Sequence, residues 1–372
     1  MLEWLLGSRQ THEFAHLVAP GLIADATREW HPNVTSHGDS ARRRSGSWHR
    51  AARNAKNGEC TELLRRHGLC DPALLHVPQA HAHYDGNNRH PFMFLHLSKC
   101  AGTSLINTIS LGQIGLFTRE ERQVAATSCE SGTSNKCCWW RERIGNMSRG
   151  TSRRLQMLVQ EPANTMKWVD DRGLVVHVEP GFDFSRDFCA KDLAYVTVLR
   201  PPVERVHSHM CEIGATFGMW QDAADRRPGH VKKQLRDNYF VRSLGGTEAW
   251  NSPEGRLQLR HLHAAARTLA RFDVVMTVGS IDSDAPIQMS RVGLPGFRWR
   301  REFERSRADN LKRATTDVHL QTRGGMPSCN KPPTAEELRR LVAACTWDAV
   351  LYEFAALLAA RRTAVPVVAR GA

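Results

Sequence analysis

Apolar and polar positions divide the chain near residue 90. Residues 1–88 are rich in His, Arg, Asn and Ala, show no strand-like alternation, and read as a basic N-terminal extension of low order. Beyond it, four short runs are almost continuously apolar: Phe92–Leu97, Leu174–Val178, Leu193–Leu199 and Phe272–Gly279. Runs of this length fit strands buried on both faces. Helical spacing marks Thr103–Ile109, Val203–Cys211, Leu235–Leu244, Arg256–Arg271 and Trp347–Ala360. Pro202 suits a helix's first turn, and Thr334-Ala335-Glu336-Glu337 forms a capping box ahead of Leu338, Leu341 and Val342. Strands alternating with helices predict a three-layer α/β domain with a central parallel sheet over residues 89–365, with the polar, Cys-containing stretch 114–151 as an insertion.

Composition narrows the function classes. With 372 residues and 41% hydrophobic content the chain can bury a sizeable core, so wholesale disorder is excluded. No stretch reaches the roughly 18 uncharged apolar residues of a membrane span. Glu3, Arg9 and Glu13 make the first twenty residues a poor signal peptide. A net charge of +13 points to a polyanionic partner: nucleic acid, an acidic glycan, an anionic membrane or a phosphorylated cofactor. Part of that charge lies in the run Arg42, Arg43, Arg44, Arg50 and Arg53. Ten cysteines without a C-x-x-C pair argue against a zinc ribbon, and no metal is expected. A short-loop bridge from Cys129 to Cys137 or Cys138 is open. The sequons at Asn33 and Asn146 lean toward the secretory pathway.

The first strand runs into Ser98-Lys99-Cys100-Ala101-Gly102 and then a helix, with Thr103 or Gly102 at its N-cap. Backbone N–H groups at such a turn bind anions, and a lysine adds a compact positive charge. The order differs from a Walker A loop, where the lysine directly precedes Ser or Thr. His96-Leu97-Ser98-Lys99-Cys100-Ala101-Gly102-Thr103-Ser104 resembles the H-I-P-K-T-G-G-T-S/T loop of sulfotransferases that use 3′-phosphoadenosine 5′-phosphosulfate (PAPS). The likeness is to the Golgi carbohydrate class, including the heparan and uronyl 2-O-sulfotransferases. Arg200-Pro201-Pro202-Val203-Glu204-Arg205-Val206-His207-Ser208 resembles that family's R-D-P-V-x-R-x-x-S signature. Asp237–Gly246, Phe272–Val275 and Asp348–Phe354 are similar to its later segments.

The resemblance implies roles. Lys99, Cys100, Ala101, Gly102, Thr103 and Ser104 would hold the 5′-phosphosulfate, with Lys99 also catalytic; Arg200 and Ser208 would hold the 3′-phosphate. His177 would be the general base, with Glu179 as the alternative. The expected acceptor is a hydroxyl on an acidic or neutral glycan, not nucleic acid. The location implied is the Golgi, with membrane association only through a segment outside this chain. Ala101 stands where the family has glycine, and a left-handed backbone there costs alanine about 1–2 kcal/mol. Cys100 replaces the usual threonine and Pro201 the usual aspartate.

Other residues carry open readings. Arg205 is either a cofactor contact or a surface charge. His207 and His209 are too closely spaced to be metal ligands on one helical face. Trp139 and Trp140, beside Arg141 and Arg143, suit core packing better than sugar stacking. Two competing functions remain: a sulfotransferase scaffold that only binds glycans, and an ATP-dependent kinase.

Overall fold

The computed structural model describes residues 58–77, 92–102, 105, 156–158, 167–169, 175–178, 194–213, 215, 217–221, 233–292, 297–299 and 333–365. Six strands form one sheet: β1 (Phe92–Leu95), β2 (Gln156–Leu158), β3 (Lys167–Val169), β4 (Val175–Val178), β5 (Ala194–Leu199) and β6 (Val274–Thr277), in the order β2-β3-β4-β1-β5-β6. The four strands expected from the apolar runs are the parallel part, with Phe94 in register with His177 on one side and Val196 on the other. Strands β2 and β3 extend that sheet antiparallel beyond β4, so it is mixed rather than wholly parallel.

Alternation along the buried strands splits their side chains between two cores. Phe94, Val196, Val198, Val274 and Met276 pack with Ile281, Ala285 and Met289 of α8 (Ile281–Ser290). Leu95, Tyr195, Leu199 and Val275 pack with α5 (Tyr239–Leu244), α7 (Leu259–Ala270) and α10 (Thr346–Ala364). Helix α10 is buried along most of its length, as its apolar sequence requires. Among the described residues no single helix is long and apolar enough to cross a membrane.

A third cluster fixes helix α2 (Pro202–Ile213), whose Val203, Val206 and Met210 meet Leu338, Leu341 and Val342 of α9 (Ala335–Ala344). The expected capping box opens α9: Thr334 Oγ1 accepts from Glu337 N–H, and the Thr334 N–H donates to the Glu337 carboxylate. The starts of α5 and α10 cap one another. Asn238 Oδ1 accepts from the Trp347 and Asp348 N–H groups, while the Asp348 carboxylate accepts from Phe240 and Val241 at 3.0 and 2.9 Å.

Order begins earlier than the hydrophobic pattern implies. Residues 58–77, assigned from sequence to the extension, join the main core. Helix α1 (Glu62–Arg66) lies inside a Cys60–Cys70 disulfide, and Leu64, Leu69 and Leu75 are buried. Thr61 hydrogen-bonds Glu353, and Arg361 donates to Gly58 O at 3.1 Å. The short segment shows no periodicity because the disulfide and helix α10 hold it. The remainder of the extension, the 114–151 stretch and the Cys129, Cys137, Cys138, Trp139 and Trp140 readings lie outside the described residues.

The short helices α3 (Phe217–Gln221), α4 (Lys233–Arg236) and α6 (Gly246–Asn251) complete the described elements.

Candidate functional site

The strand order singles out one place on the sheet. From β1 the chain reaches β4 on one side, then crosses to β5 on the other and continues outward to β6. Connections therefore diverge between β1 and β5, and open α/β sheets bind ligands outside the carboxyl ends of strands at such a point. The segments that leave those ends are Ser98–Gly102 and Arg200–Ser208, the two stretches singled out from sequence.

After Leu97 the chain turns sharply. Lys99 has φ 65° and Ala101 φ 62°, with Cys100 between them on the ordinary side. Alternating hands turn successive N–H groups toward one concavity, a backbone nest that receives anions. The N–H groups of Ala101 and Gly102 make no hydrogen bond among the described residues, whereas Leu105 N–H already donates to Ala101 O at 3.0 Å as the helix begins. Ala101 does adopt the left-handed backbone, so it carries the cost of about 1–2 kcal/mol that glycine would avoid. Glycine is required at the next position instead. A Cβ at Gly102 would lie 1.8 Å from the His96 ring, which stacks on Phe94 at 5.7 Å between centroids.

The loop is tied to its surroundings through Ser98. Its N–H donates to the Tyr239 hydroxyl at 2.9 Å, and its Oγ lies 3.3 Å from His209 Nδ1 on α2. Cys100 closes the same join from beneath: its sulfur meets the Arg200 main chain and the Ser98 carbonyl. Burial pushes the Cys100 thiol up to about 12, despite the nearby Arg205 and Arg200, so it stays protonated and serves packing.

Helix α2 contributes the second basic segment. The Arg200 side chain is partly exposed and its Nε lies 3.4 Å from Glu204; Ser208 is half-buried two turns on. Arg205 is fully buried, so it is not a surface charge. Its guanidinium lies 4.6 Å from the Tyr239 ring centre and donates to Leu235 O at 2.5 Å. His209 packs edge-on to Trp220, and burial, then Arg205 and Lys99, pull its imidazole down to about 3. It is therefore neutral at ordinary pH.

His177 is placed by backbone register alone. It is the penultimate residue of β4, inside the apolar run that marked the strand, and is paired with Phe94 of β1 and Trp168 of β3. Thr103, Ser104 and Glu179 lie outside the described residues.

Ser98, His209 and Tyr239 were not singled out from sequence as site residues. Tyr239 lay inside the quoted Asp237–Gly246 stretch, and His209 follows Ser208 directly. The rest of that stretch is structural: buried Arg242 pairs with Asp237 and donates to the carbonyls of Ala249, Ser252 and Pro253. Asp273 likewise clamps β5 by accepting from Tyr195 N–H at 2.7 Å. No protein-family model, curated protein or solved structure matches the chain.

Proposed function

We propose that the protein is a PAPS-dependent sulfotransferase acting on a hydroxyl, with a glycan as the acceptor. The observation that carries this reading is the junction of the two basic segments at the switch point, linked through Ser98 and His209. A nest that includes a lysine suits a phosphate ester, and a second basic segment one strand away suits a nucleotide carrying a further phosphate.

In this reading the Ala101 and Gly102 amides, continuing to Ser104, hold the 5′-phosphate, and Arg200 with Ser208 holds the 3′-phosphate. PAPS, when bound, supplies the activated sulfuryl group. Lys99 offsets negative charge on the phosphate side of the bond that breaks. His177, on the strand adjoining β1, takes the acceptor hydroxyl's proton. The acceptor oxygen gains the sulfuryl group and the nucleotide leaves with both phosphates. Location in the Golgi lumen belongs to the same proposal.

A thermal shift comparing adenosine 3′,5′-bisphosphate (PAP), PAPS and ATP tests the reading. Stabilisation by PAP that ATP fails to match is expected. Lys99→Ala should then abolish transfer from PAPS to a glycan acceptor while leaving a measurable PAP complex. Absence of any PAP shift at millimolar concentration sinks the cofactor and the enzyme together. PAP binding without turnover would favour the glycan-binding alternative, and an equal ATP shift the kinase.

A further inference from the structure

We infer that His209 is a positioning residue that locks the loop after β1 to helix α2, setting the spacing between the two anion-binding segments. The inference deepens the sulfotransferase reading and rests on it.

The loop residue Ser98 is gripped at two atoms by different elements. Its N–H goes to Tyr239 at the start of α5, and its Oγ goes to His209 on α2. Tyr239 is in turn covered by the guanidinium of Arg205, also on α2. Two contacts therefore lead from α2 to one serine, one direct and one through a tyrosine. Helix α2 itself is fixed against α9, so it is the reference and the strained loop is what gets placed.

His209 is suited to that task and poorly suited to proton transfer. It immediately follows Ser208, the residue assigned to the 3′-phosphate, so the same turn of helix that meets one phosphate holds the loop that meets the other. Its ring is wedged against Trp220, which fixes its orientation. Because burial and two cations keep it neutral, one ring nitrogen accepts while the other donates, and the contact to Ser98 persists across the working pH range.

Only a ligand that touches both segments senses their spacing. Calorimetric titration of the full chain with PAP, 5′-AMP and 3′-AMP separates this role from a general structural one. His209→Ala should weaken PAP about tenfold, the scale of one lost hydrogen bond and its geometry, and each mononucleotide less than about threefold. His209→Asn, which can still reach a hydroxyl, should restore PAP to within about threefold of the parent protein. Ser98→Ala should reproduce the pattern, and the double variant should be no worse than either single one. Ser98→Ala also carries the test if the histidine variant does not fold. Equal weakening of all three nucleotides, an additive double variant, or undiminished PAP binding overturns the inference and leaves the sulfotransferase reading intact. Failure of the parent protein to bind PAP removes both.

Discussion

Gly102→Ala places a methyl group where the structure has no room for one. Its Cβ would sit 1.8, 2.2 and 2.7 Å from His96 Cδ2, Nε2 and Cγ, against ordinary carbon contacts of about 3.5–4.0 Å. The ring must therefore retreat by well over 1 Å. It is poorly placed to do so, because it stacks on Phe94 with 25° between the planes, and Phe94 is fixed in the core beneath. Gly102 has an ordinary backbone angle, so the penalty is steric and not conformational. Overpacking of this kind costs about 1–3 kcal/mol, and in a domain of this size each kcal/mol lowers Tm by about 2–4 °C.

The displacement should also reach function, since His96 leads into Ser98–Ala101. PAP affinity is expected to fall at least about tenfold, which is the weight of about 1.4 kcal/mol. Gly246→Ala is the control: at φ +83° with no atom within 4 Å, it meets left-handed strain and no clash, so Tm falls while PAP affinity holds. His96→Ala combined with Gly102→Ala should recover part of the loss, because the ring that blocks the methyl is gone; coupling of about 0.5–3 kcal/mol is the expected range. Thermal unfolding and PAP titration on the parent, Gly102→Ala, His96→Ala, the double variant and Gly246→Ala decide the matter. A Gly102→Ala protein with unchanged Tm and affinity, or strictly additive effects in the double variant, would refute the placement of His96 over the helix start.

Two further outcomes concern the fold. Cys70→Ser should lower stability by about 3 kcal/mol, because the Cys60–Cys70 bridge closes a loop with a sequence separation of 10; thermal unfolding with and without reductant reads this directly. Acidification gives the second. His209, pulled from 6.5 to about 3, is protonated in the unfolded chain between those values and not in the folded one, so it removes stability as pH falls through that window, by up to about 1.4 kcal/mol per pH unit. Asp348, pushed by burial to about 7, works in the opposite sense: its folded carboxyl holds a proton that the unfolded chain has released, and stability is lost as pH rises through 7. Urea unfolding from pH 4 to pH 7 should show a flatter acid limb in His209→Asn and a steeper one in Asp348→Asn; identical limbs in all three proteins would contradict both assignments.

How far these features were legible depended on whether they leave a periodic trace. The four parallel strands did, because burial on both faces makes each an apolar run, and the alternation of Leu95 and Phe94 between two cores follows from that. The capping box at Thr334 is a local signature of four residues and needs no tertiary context. Strands β2 and β3 did not stand out: each is three residues long, and antiparallel strands need no continuous apolar stretch. Helix α1 was missed for a related reason, being five residues stabilised by a disulfide and by contacts with residues 353 and 361. Lys99 and Arg200 could be named from their motifs, whereas Ser98 and His209 become informative only once β1 and β5 are neighbours, a pairing 102 residues apart for Leu95 and Thr197. Arg205 misled for the opposite reason. An arginine in a helix reads as solvated, and its burial rests on Tyr239 and a carbonyl outside its own helix.

The features that cost this fold stability gather around one loop. Lys99 and Ala101 hold left-handed backbone, which for non-glycine residues costs about 1–2 kcal/mol each. Arg205 lies fully buried with Nε and one terminal nitrogen lacking hydrogen-bond partners, and no carboxylate is bonded to it among the described residues. His209 is held neutral against its tendency to ionise. Each could be relieved by a common substitution: glycine at 101, or an apolar residue at 205. Buried Arg242, by contrast, is satisfied by Asp237 and by backbone carbonyls. The two arginines show what the net charge of +13 conceals. Arg242 contributes almost nothing to the external field, since its partner cancels it. Arg205 adds positive potential beneath the loop from a position that no solvent ion can screen by direct contact. A strained nest that includes a lysine, and a buried arginine with no bonded carboxylate among the described residues, favour one kind of guest. Their convergence is an argument for an anionic ligand that does not depend on any motif.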